Sequence, residues 1–390
     1  MYEKRFTKKQ ITILANAGIV LFYLIYGYLC ARMLFRQSIH YNNMYHSDLP
    51  SHIHSGVNRI GYSLVEMILG DIIGYTGSYK LVGIFLATVI LATIFVTWKL
   101  LRLIVPNTNP VLLHVGAIAC NLVAAYYLPQ FNEYRYLGVQ SGNIYHNSTF
   151  TGMKFLGTMV LYLYFSYQSQ YEKGLSWKQW STFAVLMIMV NMTKPNFFVC
   201  FAPAMGIYLL IDLIQKKGKT FSKIFLFGLA VIPSVLVLLV VYTLLFPSDG
   251  SAGGVIIDPG YCFFMRARTP VMAVIQTMAF PLWILAFHIR DLKKDRVFGF
   301  SWLMLLISFL EYFFLCEGGA RKDHGNLSWG YCYCIYVIFV VSVAKICSDF
   351  REKDLKKYWY YYLGAGLLLL GHLVYGLQYF NIVVHGGHFI

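Results

Sequence analysis

The sequence predicts an all-α polytopic membrane protein of about eleven transmembrane helices, and three observations carry that prediction. Apolar residues make up 58% of the 390 and charged ones 13%, about half the charge of a soluble domain. The apolar residues fall in runs long enough to cross hydrocarbon, which takes about 20 residues of helix. Lys and Arg collect in alternate connections, as retention of positive charge on the cytoplasmic side demands.

The first run, Ile11 to Met33, follows a basic head of Lys4, Arg5, Lys8 and Lys9. It is longer than a signal-peptide core and no small-residue cleavage site follows it, so it reads as an uncleaved span. Further spans are expected at 79–104, 111–128, 149–169, 179–193, 197–215, 223–246, 270–288, 298–316, 329–347 and 358–379. Between 179 and 215 the apolar stretch is broken at Thr193-Lys194-Pro195-Asn196. Proline lacks a backbone donor and disfavours helix at the residue before it, so two short helices joined by a tight turn are expected there. Eleven spans put the termini on opposite sides. With the N-terminus inside, segments 1–10, 99–110, 170–178, 216–223, 289–296 and 345–357 hold 21 of the 32 Lys and Arg, against 11 in the rest of the chain. The net charge of +15 then reflects topology and gives no reason to expect nucleic acid. The eight cysteines have no zinc or redox spacing, and Cys262 and Cys316 are the pair that a bridge could join on one membrane side. No internal repeat or linker divides the chain, which reads as a single domain over 1–390.

The polar chemistry gathers on the predicted outer side, in 34–78, 129–148, 247–269, 317–328 and the tail after Tyr379. Eight of the eleven histidines (His40, His46, His52, His54, His146, His324, His385 and His388) fall there. A working face outside is the natural expectation. Within the first outer loop, 34–78, residues 63–78 suit a helix lying in the interface. The Gly-rich 247–269 loop reads as a flexible lid.

Asp48 precedes Leu49-Pro50 and suits a helix cap. It also suits a general base for an acceptor hydroxyl, and the two readings are compatible. His52 and His54 diverge on a helix, short of the three or four ligands zinc wants, so they read as hydrogen-bonding groups for substrate or lipid headgroups. The run Gln140-Ser-Gly-Asn143-Ile-Tyr-His146-Asn147-Ser-Thr149 is dense in amide, hydroxyl and imidazole groups. It suits recognition of sugar hydroxyls or phosphate oxygens, through Asn143, His146 and Asn147, beside a capped helix start at Ser148 or Thr149. Lys194, at an outer turn, calls for a phosphate or Glu311 as partner, or else snorkels to the surface. Arg321, Lys322 and His324, in a glycine-flanked turn, can cradle a phosphate or belong to an ordinary exposed loop. Arg266 and Arg268 form a second cationic candidate.

This layout resembles the GT-C family of integral-membrane glycosyltransferases over roughly 1–270. The shared features are one span, a long outer loop carrying Asp48 and interfacial helices, closely spaced spans, and a late outer loop. The resemblance implies transfer of a sugar from a polyprenyl-phosphate or polyprenyl-diphosphate donor to an envelope glycan, lipid or protein on the extracytoplasmic face. It implies Asp48 as the catalytic acid residue and Arg321, Lys322 or Lys194 as cations for the carrier phosphate. Many members carry two acidic residues close together near that loop. Here the nearest are Glu66 and Asp71, which leaves a divalent ion, Mg2+ or Mn2+, an open matter. The Asn143-to-Thr149 and Thr193-to-Asn196 runs resemble those of bacterial multispan proteins, so a bacterial inner (plasma) membrane is expected. The expected partners are a lipid-linked sugar donor, membrane lipids and other envelope-glycan enzymes. From another class, a transporter or flippase for a lipid-linked glycan or other anion remains as the alternative. The lack of repeats and the gathering of charge at the outer rim argue for surface chemistry over passage.

Overall fold

Long apolar runs leave their backbone polar groups no partner in hydrocarbon except along a helix, and the structure is accordingly helical. The computed structural model describes residues 8–39, 47–60, 63–132, 140–168, 170–245 and 254–387. His40, His46 and His388 lie outside the described residues, as does the 247–253 part of the expected lid.

Helix α1 (Lys8–Ile39) leads to two short helices, α2 (Leu49–Val57) and α3 (Leu64–Thr76). Helix α4 (Tyr79–Ile104) packs back along α1, and α5 (Pro110–Cys120) follows. Next come α6 (Ser148–Tyr167), α7 (Trp177–Thr193) and α8 (Asn196–Gln215), then α9 (Phe221–Leu229) and α10 (Ile232–Leu245), split just before Pro233. A strand β1 (Val255–Ile257) and α11 (Tyr261–Arg266) precede α12 (Pro270–His288). The chain closes with α13 (Asp291–Lys294), α14 (Arg296–Phe314), β2 (Leu315–Glu317), a 3-10 turn over Gly319–His324, α15 (Ser328–Glu352) and α16 (Trp359–Val384). Among the described residues, eight helical stretches are long and apolar enough to cross a membrane: α1, α4, α8, α9 with α10, α12, α14, α15 and α16. Helix α15 is the axis, buried over most of its length and packed by α4, α5, α8, α12 and α14. Lys194 is extended (φ −162°, ψ 113°) between α7 and α8, so the chain turns there as Pro195 predicts.

Three expectations change. The span expected over 111–128 is helical only to Cys120. Beyond it the chain runs irregularly through the bundle, because buried side chains supply the hydrogen bonds that a helix would have made. Asn143 Nδ2 donates to the carbonyls of Cys120 (3.0 Å) and Val123 (2.6 Å). His372 Nδ1 donates to Ala124 O (2.7 Å), and the Ala124 amide donates to His372 O (3.1 Å). Gln276 does the same around Tyr126, its amide side chain donating to Tyr126 O (3.0 Å) while its own carbonyl accepts from Tyr126 N. Helix α16 lets this segment in at Gly376, where a Cβ would run into Leu122 O.

The described part of the 247–269 loop is not an open lid. Strand β1 pairs antiparallel with β2, Ile256 opposite Cys316, and Phe263 of α11 packs on Phe309, Tyr312 and Phe313 of α14. Finally, charge is not confined to the rim. Lys154, in the middle of α6, is 8% exposed.

At the end of the bundle away from α2 and α3, ion pairs tie the helices together. His288 is held between Asp291 and Asp349 at 2.8 Å each. Arg296 grips Asp212 with both terminal nitrogens (2.5 and 2.7 Å).

Candidate functional site

The site begins with two glycines. Helices α2 and α3 cross so closely that a Cβ on Gly56 would run into the Glu66 carbonyl, and one on Gly70 into the Gly56 backbone. His52 lies four residues before Gly56 and Glu66 four before Gly70, so each shares a helix face with its glycine. The crossing therefore brings the two side chains together, and His52 Nδ1 donates to Glu66 Oε1 at 2.6 Å. Glu66 is 8% exposed. The carboxylate fixes the tautomer and leaves Nε2 as an acceptor.

Asp48 occupies the N-cap position of α2, but its side chain makes no capping bond. Ser47 does that work, its Oγ accepting from the Leu49 amide (3.1 Å). The Asp48 backbone is pinned by donation to His146 O (3.0 Å), and its exposed carboxylate accepts from Asn147 Nδ2 at 2.7 Å. Asn147 is oriented by its own cap. Its Oδ1 accepts from the Phe150 amide and from Thr149 Oγ1, both at 2.8 Å, so its amide nitrogen must face outward. That nitrogen meets Asp48, and His52 Nε2 lies 3.5 Å away.

Lys194 reaches the same cluster from the α7–α8 turn. Its Nζ donates to Thr149 Oγ1 (3.1 Å) and lies 4.5 Å from the centre of the Trp329 ring. No carboxylate pairs with it among the described residues, and Glu311, the protein partner expected for it, is buried against Gly330 instead, with Oε2 lacking a hydrogen bond. Burial lowers the Lys194 pKa to about 8, against the pull of Asp48, Glu66 and Glu317, which favour its charged form. Trp329 Nε1 donates to Asn326 Oδ1 (3.4 Å), Asn326 Nδ2 to Glu317 Oε2 (2.6 Å), and Arg321 pairs with Glu317 Oε1 (2.9 Å). One connected network thus runs from Glu66 through His52, Asn147 and Lys194 to Arg321. Asp48 is its exposed carboxylate, and Lys194 is a cation that no carboxylate among the described residues neutralises by contact.

The other expected residues divide. His146 is buried beside Trp329, and burial lowers its imidazole to about 4. Its carbonyl accepts from Ser47 Oγ (2.9 Å) and from the Asp48 amide (3.0 Å). His54 faces away, exposed and bonded to Asn58. Asn143 braces the broken segment after α5 and accepts from Lys154. Lys322 is taken by Asp258 (2.6 Å) and lies over Tyr261. Arg266 donates to Asp323 O, while Arg268 and His324 are exposed. Of the expected phosphate cradle, Arg321 joins the network and Lys322 is neutralised. Glu66 entered the sequence reading only as a nearby acidic residue and Thr149 only within a polar helix start, while Glu317 and Trp329 were given no role. The i, i+4 spacing of His52 and Gly56 against Glu66 and Gly70 is a signal that could have found the first.

These donors do not suit a divalent ion. Mg2+ and Mn2+ favour several oxygen ligands, yet Glu66 is directed at His52, and Asp48 alone presents a free carboxylate edge. Among the described residues no three His, Cys, Asp or Glu side chains converge as a metal site. No family model, curated protein or solved structure matches this chain.

Proposed function

We propose that the protein is a membrane glycosyltransferase of GT-C type. In this reading Asp48 takes the proton from an acceptor hydroxyl as that oxygen attacks the anomeric carbon. The bond from that carbon to the carrier phosphate oxygen breaks, and the departing phosphate is met by Lys194, with Arg321 behind it. Transfer inverts the sugar carbon and needs no covalent enzyme intermediate. The observation that carries the reading is the meeting of an exposed carboxylate and an unneutralised cation in one hydrogen-bonded network. A base and an anion-binding group on the same site are what such a displacement requires.

Helices α5, α6 and α7 complete eleven spans in this reading, with the N-terminus cytoplasmic and the site on the extracytoplasmic face of a bacterial inner membrane. Its partners are a lipid-linked donor, membrane lipids and envelope-glycan enzymes.

Asp48→Asn tests the base, because asparagine keeps the shape and loses the proton acceptor. Transfer from a radiolabelled polyprenyl-phosphate hexose should fall at least roughly 100-fold, with melting unchanged. Near-normal transfer by the folded variant would falsify the assignment. The alternative, a transporter or flippase for an anionic or lipid-linked substrate, draws support from Lys154 inside the bundle. The same assay in detergent separates the two, since only a transferase makes a new glycosidic bond where there is no compartment to fill.

A further inference from the structure

Lys154 stands six residues into α6, about 9 Å along the helix axis from Ser148. Its ammonium donates to Asn143 Oδ1 and lies 4.1 Å from the centre of the Tyr336 ring. An ammonium carries three hydrogens, so these two contacts leave one. No Asp or Glu pairs with it among the described residues. A lone cation at this depth is costly unless it gives up its proton or something of opposite charge meets it.

A cavity of about 20 Å³ adjoins it, lined by Lys154, Asn143, Thr151, Asn121, Tyr26 and Tyr145 among others. The Tyr26 and Tyr145 hydroxyls are bonded to each other at 3.0 Å. That bond uses one of their two hydrogens and leaves the second for the cavity or the nearby Cys30 thiol. The space holds about one water-sized guest, which excludes the phosphate or carboxylate of a lipid. Water would solvate the ammonium without neutralising it.

We propose that this cavity binds a small monovalent anion of halide size, held by the Lys154 ammonium and the one tyrosine hydroxyl hydrogen that the Tyr26–Tyr145 bond leaves. The inference stands apart from the transferase reading and uses none of its residues. The anion is a fixed counter-charge between α1, α4 and α6, and the bundle folds around it.

The test is melting of the purified full chain in potassium chloride, bromide or gluconate at equal ionic strength. Chloride and bromide should raise Tm by roughly 5 °C over gluconate, saturably, and Lys154→Met should remove the difference. Equal melting of the wild type in all three salts overturns the proposal. If the variant does not fold, anomalous diffraction from wild-type crystals grown in bromide decides. A bromide peak beside Lys154 Nζ supports the site, and a water only, or an empty cavity, overturns it.

Discussion

At the scale of single residues, the site depends on which way one amide points. Asn147 caps α6 through Oδ1 and thereby offers its nitrogen to Asp48. Aspartate caps a helix as well as asparagine does, so Asn147→Asp should leave α6 intact while setting a second carboxylate against the first. A like charge disfavours ionisation of its neighbour. The acid limb of the transfer rate should therefore move to higher pH, with melting little changed, and an unmoved pH profile would remove Asn147 from the site. In the proposed transfer, Lys194 would set the alkaline limb. Its folded pKa, about 8, lies below the ordinary lysine value, so it is charged below pH 8 and neutral above. Affinity for the donor phosphate should fall as pH rises through about 8, and the fall should be absent in Lys194→Met. Stability moves the other way. The unfolded lysine keeps its proton up to about 10.4, so between these values the unfolded state binds more protons and the native state gains as pH rises. Asp48, His52 and Asn147 were legible in the sequence as polar residues massed at helix starts. Trp329 was not, because a tryptophan opening an apolar run looks like any interfacial anchor.

At the scale of elements, the crossing of α2 and α3 is the joint on which the site is built. Gly56→Ala would force the helices apart against the Glu66 carbonyl, at a cost of about 1–3 kcal/mol. The His52–Glu66 bond should open with them. We expect transfer to fall several-fold or more in a protein that melts only a few degrees lower, and wild-type activity would show that the pairing does not matter. The short helices themselves could be read, α2 from the entry at Asp48-Leu49-Pro50 and α3 from 63–78, whose apolar period and charges suit an interface. Their contact could not, since nothing local says which of several glycines meets which backbone. The early end of α5 is the mirror case. Leu122 to Leu128 is apolar enough to pass for a span, and what breaks the helix is a set of hydrogen bonds from Asn143, Gln276 and His372, all remote in sequence.

At the scale of the whole molecule, hydropathy read the class well, because hydrocarbon dictates helices and the basic clusters recur in alternate connections. Helices stand at all the expected spans, though α5 is short. If α5, α6 and α7 cross alongside the eight long apolar stretches, reporter fusions at the two termini should be active on opposite sides of the membrane. Both on one side would overturn the eleven-span topology. The buried Lys154 escaped notice because one lysine barely lowers the hydropathy of a long window. The two ends of the molecule are built differently. The site end is an open network with an exposed carboxylate, while the far end is cinched by the His288, Asp349 and Arg296 ion pairs.

The irregular segment after α5 has a consequence for how the chain is made. Ala124 finds its partner in His372, 248 residues later. At a synthesis rate of roughly 5–20 residues per second, that partner emerges roughly 10–50 s after the segment has left the ribosome. Until then Leu122 to Tyr126 can sit in lipid with its backbone satisfied only as a continuation of α5. A nascent chain must keep it helical, hold it at the aqueous surface or shelter it in the insertion machinery, and the docking of the last helix then becomes the step that completes the irregular path seen in the finished bundle.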